Sequence, residues 1–158
     1  MDTHIEKLRD FAIGHTQLRK GSIHGVSHWD RVARNAELLM SDGVDMLVVK
    51  SFAYVHDIER VNEHEDLQHG PRAAKLVDDI RSTVLDFLND RQIAQLKEAC
   101  RLHTTTWRTE DATVDACFDA DRLDLGRVGI TPDPDRMATQ KGQEIAENLP
   151  ENIGIRIG

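Results

Sequence analysis

The chain has 158 residues, of which 39% are apolar, enough to bury one hydrophobic core and too many for a disordered chain. Its 20 basic and 28 acidic residues leave a net charge of −8, which excludes binding to nucleic acid through bulk charge. The sequence contains no run of about 18 apolar residues, which excludes a membrane span.

Helical periodicity runs through most of the chain, and no segment shows the alternation of a β-strand. Apolar residues at helical spacing predict a first helix in IEKLRDFAIGHTQL and a second in SHWDRVARNAELLM, with Ser27 as the N-cap of the second. A third helix is predicted in DMLVVKSFAYVHDI, which is apolar nearly all round. That pattern is typical of a central, buried helix.

The remaining helices follow a polar loop. A fourth is predicted in GPRAAKLVDDIRSTVLDFL, where Pro71 suits the first turn, and two more in DRQIAQLKEACRLHTT and TVDACFDADRLDLGR. The pattern weakens after Gly126, and DRMATQKGQEIAENL predicts one peripheral amphipathic helix. We therefore expect one all-α domain over residues 1–158, a bundle of about six or seven helices with its core at about 22–127 and a peripheral segment at 128–158.

Histidines and aspartates lie at the ends of several predicted helices. The histidines are His28, His56, His69 and His103, Asp57 follows His56, and Asp121 lies in the sixth helix. Side chains from several helices can converge inside a bundle, where imidazole and carboxylate ligands together suit Fe, Mn, Zn or Co. A lone helical histidine is more often a core or surface residue, so spacing by itself leaves ligation open for each of them.

Five segments, in this order, resemble the motifs of the HD-domain superfamily of metal-dependent phosphohydrolases: SHWDRV, VHDIER, QHGPRAA, RLHT and ADRLD. The superfamily pattern of His, His-Asp and Asp on separate helices is matched at His28, His56, Asp57 and Asp121. The resemblance implies an HD-domain, PDEase-like helical bundle in which these four residues bind one metal ion.

The resemblance also implies a second metal ion. Members of the superfamily that bind two metals add histidines from the following helices, and His69 and His103 stand at the expected positions. Asp57 would then bridge the two ions. The simpler alternatives are a polar residue at a helix N-terminus for His69 and a favourable helix-dipole interaction at a C-terminus for His103.

The function implied by the resemblance is hydrolysis of a phosphate mono- or diester, on a nucleotide or another small phosphorylated metabolite. Two divalent ions (Fe, Mn, Co, Zn or Mg) would supply a metal-bound hydroxide. Asp57 and Arg60 are the predicted catalytic residues, and Arg60 and Arg72 the predicted substrate-binding residues, because a guanidinium pairs with phosphate oxygens. The alternative for both arginines is an ordinary surface ion pair.

Two other functions remain open at this stage. Some superfamily members with two irons are oxygenases, and histidine and carboxylate ligation does not separate them from hydrolases. A non-catalytic module that senses a nucleotide is the second alternative. The N-terminus has no apolar stretch, and Cys100 and Cys117 show no disulfide-rich spacing, so we expect a cytoplasmic protein.

Several neighbouring residues are predicted to have structural roles. Trp29 and Trp107 are expected in the core, and His24 and His64 at the surface near the mouth of the site, with support of the ligands or acid catalysis as alternatives. Asp119 and Asp124 flank Asp121. One of them is expected to orient a ligand imidazole, and the sequence leaves open which.

Overall fold

The computed structural model describes residues 2–149, which form α-helices and 3₁₀ helices and no β-strand. The α-helices are α1 (Thr3–His15), α2 (Val26–Leu38), α3 (Met46–Val55), α4 (His69–Ile80), α5 (Asp90–Leu102), α6 (Ala112–Arg122) and α7 (Gln140–Glu147). The 3₁₀ helices are Leu125–Val128 and Pro134–Arg136. The predicted all-α class is confirmed. Residues 150–158 of the predicted peripheral segment lie outside the described range.

Helix α3 lies at the centre of the bundle and packs against α1, α2, α5 and α6. Its residues Val48, Val49 and Phe52 to Val55 are all buried, as the nearly continuous apolar run predicts. Helix α4 packs mainly on α5. Because α3 is surrounded by other helices, its last turn delivers His56 and Asp57 to the inside of the bundle.

The start of α2 differs from the prediction. Ser27 was expected to be the N-cap, but the helix begins at Val26 and Gly25 occupies the capping position, with no side-chain hydrogen bond. The reason is that the Gly25 carbonyl already accepts a hydrogen bond from the Trp29 amide at 3.1 Å, which places Ser27 within the first turn. Pro71 lies in the first turn of α4, as predicted.

The segment after Gly126 docks on α6 through one buried carboxylate. Asp119 accepts hydrogen bonds from the Ala138 amide at 2.7 Å, from the Thr139 amide at 2.8 Å and from the Thr139 hydroxyl at 2.7 Å. Burial raises the pKa of Asp119, and the hydrogen bonds, which lower it, offset only part of this effect. The predicted peripheral helix is present, in shorter form, as α7.

The two tryptophans occupy different environments. Trp29 is fully buried, as predicted, but Trp107 is 52% exposed, so its predicted place in the core is wrong. It lies in the connection between α5 and α6, where its indole N–H donates to the Met137 carbonyl at 3.3 Å and the Arg108 guanidinium covers its ring. None of the helices between residues 2 and 149 is long and apolar enough to cross a membrane.

Candidate metal centre

The six predicted metal ligands come from five helices and converge inside the bundle. His28 lies in the first turn of α2, His56 and Asp57 at the end of α3, His69 at the start of α4, His103 at the end of α5, and Asp121 in the last turn of α6. Helix ends place these polar groups together, while the helix interiors remain apolar and form the core.

The first group of donor atoms consists of two imidazole nitrogens and two carboxylate oxygens. Nε2 of His28 lies 3.1 Å from Nε2 of His56. Asp57 Oδ2 is 3.4 and 3.2 Å from these nitrogens, and Asp121 Oδ1 is 3.1 and 3.4 Å from them. For metal–ligand bonds of about 2.1 Å, neighbouring ligand atoms are separated by about 3.0 Å at right angles and about 3.4 Å at tetrahedral angles. The four donors therefore have the spacing of ligands around one ion.

A second group forms on the other oxygen of Asp57. Nε2 of His69 lies 3.0 Å from Nε2 of His103, and Asp57 Oδ1 lies 3.1 Å from the first nitrogen and 3.7 Å from the second. The donors of His28, His56 and Asp57 are within 4.8 Å of one another, and so are those of Asp57, His69 and His103. Asp57 thus belongs to both groups, with one oxygen directed to each.

Main-chain carbonyls set the orientation of three of the imidazoles. Their Nδ1 atoms donate hydrogen bonds of 2.9, 2.5 and 2.8 Å, from His56 to Phe52, from His69 to Asp66 and from His103 to Cys100. A carbonyl can only accept, so Nδ1 carries a hydrogen in each ring, and Nε2 presents a lone pair whenever the ring is neutral. Two such lone pairs at about 3 Å repel each other unless a cation lies between them. This arrangement fits a pair of divalent metal ions.

The fourth imidazole is oriented by a carboxylate. Asp124 Oδ2 accepts a hydrogen bond of 2.7 Å from Nδ1 of His28, and Asp124 Oδ1 accepts one of 2.6 Å from Nε of Arg31. Asp119 instead binds the C-terminal segment. The structure therefore decides between the two aspartates that flank Asp121, and Asp124 is the one that supports a predicted ligand.

The carboxylates make the centre attractive for cations. Burial lowers the pKa of His28, but hydrogen bonds to Asp121 and Asp124 outweigh it and raise the pKa to about 9. Burial also lowers the pKa of His56, but the charge of Asp57 outweighs this effect and raises the pKa of His56 to about 10. Burial raises the pKa of Asp57 and Asp121, yet the imidazoles hold both values well below the usual range. Asp121 Oδ1 is also buried without a hydrogen-bond partner among the described residues, as expected of a metal ligand.

The two predicted substrate-binding arginines have different surroundings. Nε of Arg60 lies 3.4 Å from Asp57 Oδ1, and its Nη1 donates to the His64 carbonyl at 2.8 Å. Nη2 of Arg72 is 2.8 and 2.7 Å from the two carboxylate oxygens of Asp66 and thus forms an ion pair away from the donor groups. Arg60 contacts a predicted ligand and Arg72 does not, and the substrate-binding role of both arginines stays a prediction.

Two residues lie closer to the centre than the main sequence prediction placed them. His24 was expected at the surface, but it is only 7% exposed. Its Nε2 bonds to the Glu63 carbonyl at 3.2 Å, and its Nδ1 faces Asp57 Oδ2 at 3.9 Å, so the ring packs against the centre. Burial lowers the pKa of His24 to about 4, which leaves the ring neutral. His64 is exposed, as expected. Arg127, whose Nη2 lies 3.7 Å from Asp121 Oδ1, is the second such residue.

Comparison with known proteins supports the fold. No protein-family model matches the sequence, and a comparison with curated proteins finds no match. The fold is similar to that in a crystal structure of a predicted HD superfamily hydrolase from an uncultured Thermotogales bacterium, with a TM-score of 0.72 and 24% sequence identity. The likeness covers 92% of this chain and 84% of the other. At this identity it establishes a shared fold, which agrees with the predicted HD-type helical bundle.

Proposed function

We propose that the protein is a metal-dependent hydrolase that cleaves a phosphate mono- or diester of a nucleotide or another small phosphorylated metabolite. The observation that carries the proposal is the position of Asp57, whose two oxygens face two separate pairs of histidine nitrogens. Such a carboxylate is suited to bridge two divalent ions. The fold shared with a predicted HD superfamily hydrolase supports the same reading.

The residues of the chain have distinct roles in this proposal. Two bound divalent ions would acidify a water molecule and offset the negative charge of a phosphoryl group. Asp57 would be a ligand of both ions, and the surrounding imidazoles lower its pKa and keep it ionised. Arg60, next to Asp57, binds a phosphoryl oxygen and stabilises the charge that develops during hydrolysis.

The test combines metal content with catalysis. We expect protein purified without chelator to contain about two equivalents of divalent metal, by elemental analysis. His69→Ala and His103→Ala should each lower the content towards one equivalent, while exposed His64→Ala, the matched control, should not change it. The wild type should hydrolyse p-nitrophenyl phosphate or bis(p-nitrophenyl) phosphate, and both ligand variants should lose most of that activity.

Other outcomes would contradict the proposal in distinguishable ways. One equivalent of metal, unchanged in both ligand variants, would exclude the second metal position. Two equivalents of iron with oxygen consumption and no phosphoester hydrolysis would favour an oxygenase. Metal-free protein that binds a nucleotide tightly would favour the sensing module.

A further inference from the structure

Arg127 is a buried cation whose hydrogen-bonding capacity is only partly used. It lies in the 3₁₀ helix after α6, and its side chain is 10% exposed. Nη1 donates to the Asp124 carbonyl at 2.8 Å, and Nη2 lies 3.7 Å from Asp121 Oδ1, beyond hydrogen-bond range. Within residues 2–149, its buried Nε has no hydrogen-bond partner. The hydrogen bond to the Asp124 carbonyl therefore uses Nη1, and the N–H groups of Nε and Nη2 remain available to another acceptor.

Arg60 lies beside Asp57, the other predicted carboxylate ligand, in a similar way. Its side chain is 12% exposed, and Nε lies 3.4 Å from Asp57 Oδ1 with no hydrogen-bond partner in the described part of the chain. Its Nη1 also donates to a main-chain carbonyl, that of His64. Each of the two predicted carboxylate ligands therefore has one arginine beside it, anchored by a carbonyl and with a free Nε–H.

His24 is a third polar residue next to the predicted carboxylate ligands. Its Nδ1 is buried, faces Asp57 Oδ2 and has no hydrogen-bond partner among the described residues. Asp57 and Asp121 lie around the same two imidazole nitrogens, those of His28 and His56, so the two guanidiniums beside them adjoin one centre. Arg60 and His24 thus lie beside Asp57, and Arg127 lies beside Asp121, each with a nitrogen that has no hydrogen-bond partner among the described residues.

Other arginines close to this region are neutralised by their own partners. Arg31 pairs with Asp124, and Nη2 of Arg72 is held by both oxygens of Asp66, although Nε of Arg72 is also unpaired in the described chain. Arg60 and Arg127 are different because their carboxylate neighbours, Asp57 and Asp121, face the predicted metal ions. The positive charge of two divalent ions would exceed the negative charge of those two carboxylates. The positive charge of both guanidiniums would therefore remain available to bind an anion.

We propose that Arg60 and Arg127 together bind the unesterified oxygens of a phosphate monoester, so that the substrate of this centre is a monoester dianion rather than a diester. The inference rests on the proposed function and narrows its substrate class. A monoester presents three unesterified oxygens and up to two negative charges, whereas a diester presents two oxygens and one charge. Two guanidiniums next to two divalent ions favour the former, because charged hydrogen bonds to phosphate add at each oxygen.

The test measures anion binding, so it does not depend on turnover. Protein purified without chelator is titrated by calorimetry with inorganic phosphate and, separately, with dimethyl phosphate, a diester monoanion. We expect phosphate to bind at least about tenfold more tightly than dimethyl phosphate. Arg127→Gln should weaken phosphate binding by about tenfold or more, and Arg127→Lys by a smaller factor, because lysine keeps the charge and loses the fork.

Controls separate this result from a structural role of Arg127. Arg136→Gln changes an arginine whose side chain is 86% exposed, and it should leave phosphate affinity unchanged. Metal content is measured for each variant. If Arg127→Gln loses metal, Arg127→Lys at wild-type metal content replaces it in the comparison.

Three results would overturn the inference. Unchanged phosphate affinity in Arg127 variants with full metal content would limit that residue to its contact with the Asp124 carbonyl. Equal affinity for phosphate and dimethyl phosphate, with hydrolysis of bis(p-nitrophenyl) phosphate, would reject the monoester preference and keep the proposed function. A metal-loaded wild type that binds neither anion would reject both.

Discussion

Asp124 Oδ2 lies 2.7 Å from Nδ1 of His28 and orients a buried imidazole whose Nε2 faces His56, Asp57 and Asp121. The contact joins Asp124, which follows α6, to His28 in the first turn of α2, and the two residues are 96 positions apart in the chain. A carboxylate in this position fixes the tautomer and increases the basicity of the ligand nitrogen. The basicity of Nε2 in His28, a predicted metal ligand, therefore depends on a residue outside the predicted ligand set.

Replacement of Asp124 by asparagine removes the charge and retains the shape of the side chain. We expect Asp124→Asn to weaken metal binding by roughly 10- to 100-fold, because His28 loses its anionic partner. Competition with a chromophoric chelator measures the change. Asp133→Asn, at a half-exposed side chain outside the centre, is the matched control. Wild-type metal affinity in Asp124→Asn would show that the charge of Asp124 next to His28 does not contribute to metal binding.

The stability of the metal-free protein should depend on pH. The pKa is about 9 for His28 and about 10 for His56 in the folded chain. An unfolded histidine titrates near pH 6.5, so the folded state binds more protons above that value. The resulting stabilisation is complete below about pH 6.5 and is lost as pH rises through the folded pKa values. We expect the free energy of unfolding of chelator-treated protein, from urea titrations, to fall between about pH 7 and pH 10.

Metal-loaded protein is the control for this pH effect. Metal ions would occupy the nitrogens that the protons leave, so the loaded protein should lose much less stability over the same range. Metal binding should release protons near neutral pH, and metal affinity should decrease as pH falls. Parallel pH profiles for the metal-free and loaded proteins would contradict this linkage.

The sequence predicts the helices and the positions of the candidate ligands because both depend on local pattern. Helix α3 is a nearly continuous apolar run, and such a run can only be stable at the centre of a bundle. Its last residues, and the first or last turns of four other helices, contain the polar groups that converge. The pattern of helix ends therefore brings the candidate residues together, and the resemblance to the HD-domain superfamily selects the six predicted metal ligands among them.

Residues whose surroundings depend on tertiary packing could not be assigned in the same way. Asp119 precedes Asp121 and Asp124 follows it within the same short stretch, and their separation in space depends on the end of α6, which periodicity does not define. His24 and Arg127 lie in a turn and in a 3₁₀ helix, where spacing indicates no direction for the side chain. Their places near the centre result from tertiary packing.

Gly70 allows a close approach between α4 and α5 next to His69. A Cβ atom at this position would lie 2.5 Å from the Cys100 main-chain carbonyl oxygen and 3.5 Å from Cε1 of His103. A backbone oxygen cannot move without displacing α5, so we expect Gly70→Ala to destabilise the protein by about 2 kcal/mol or more. The same change should lower the occupancy of the second metal position, because His69 and His103 would separate. Thermal unfolding and elemental analysis measure the two effects.

Gly14 in α1 is the matched control for that glycine. A Cβ atom at Gly14 would meet no other atom of the described residues within 4 Å, and the residue lies in a helix, so Gly14→Ala should stabilise the protein by about 0.4–1 kcal/mol. It should leave metal content unchanged. Equal effects of the two substitutions would mean that helix propensity, and not the contact with α5, determines the need for glycine at position 70.

Asp119 should affect stability without affecting metal binding, although it lies close to Asp121 in the chain. Its carboxylate accepts hydrogen bonds from the Ala138 and Thr139 amides and is fully buried. Asp119→Ala removes these bonds and leaves partly buried amides unpaired, which we expect to cost about 1–3 kcal/mol in urea unfolding. Asp135→Ala, in the exposed part of the same segment, should cost less than about 0.5 kcal/mol. Metal content should stay at the wild-type value in both variants, and a loss of metal in Asp119→Ala would show that docking of the C-terminal segment helps to position Asp121.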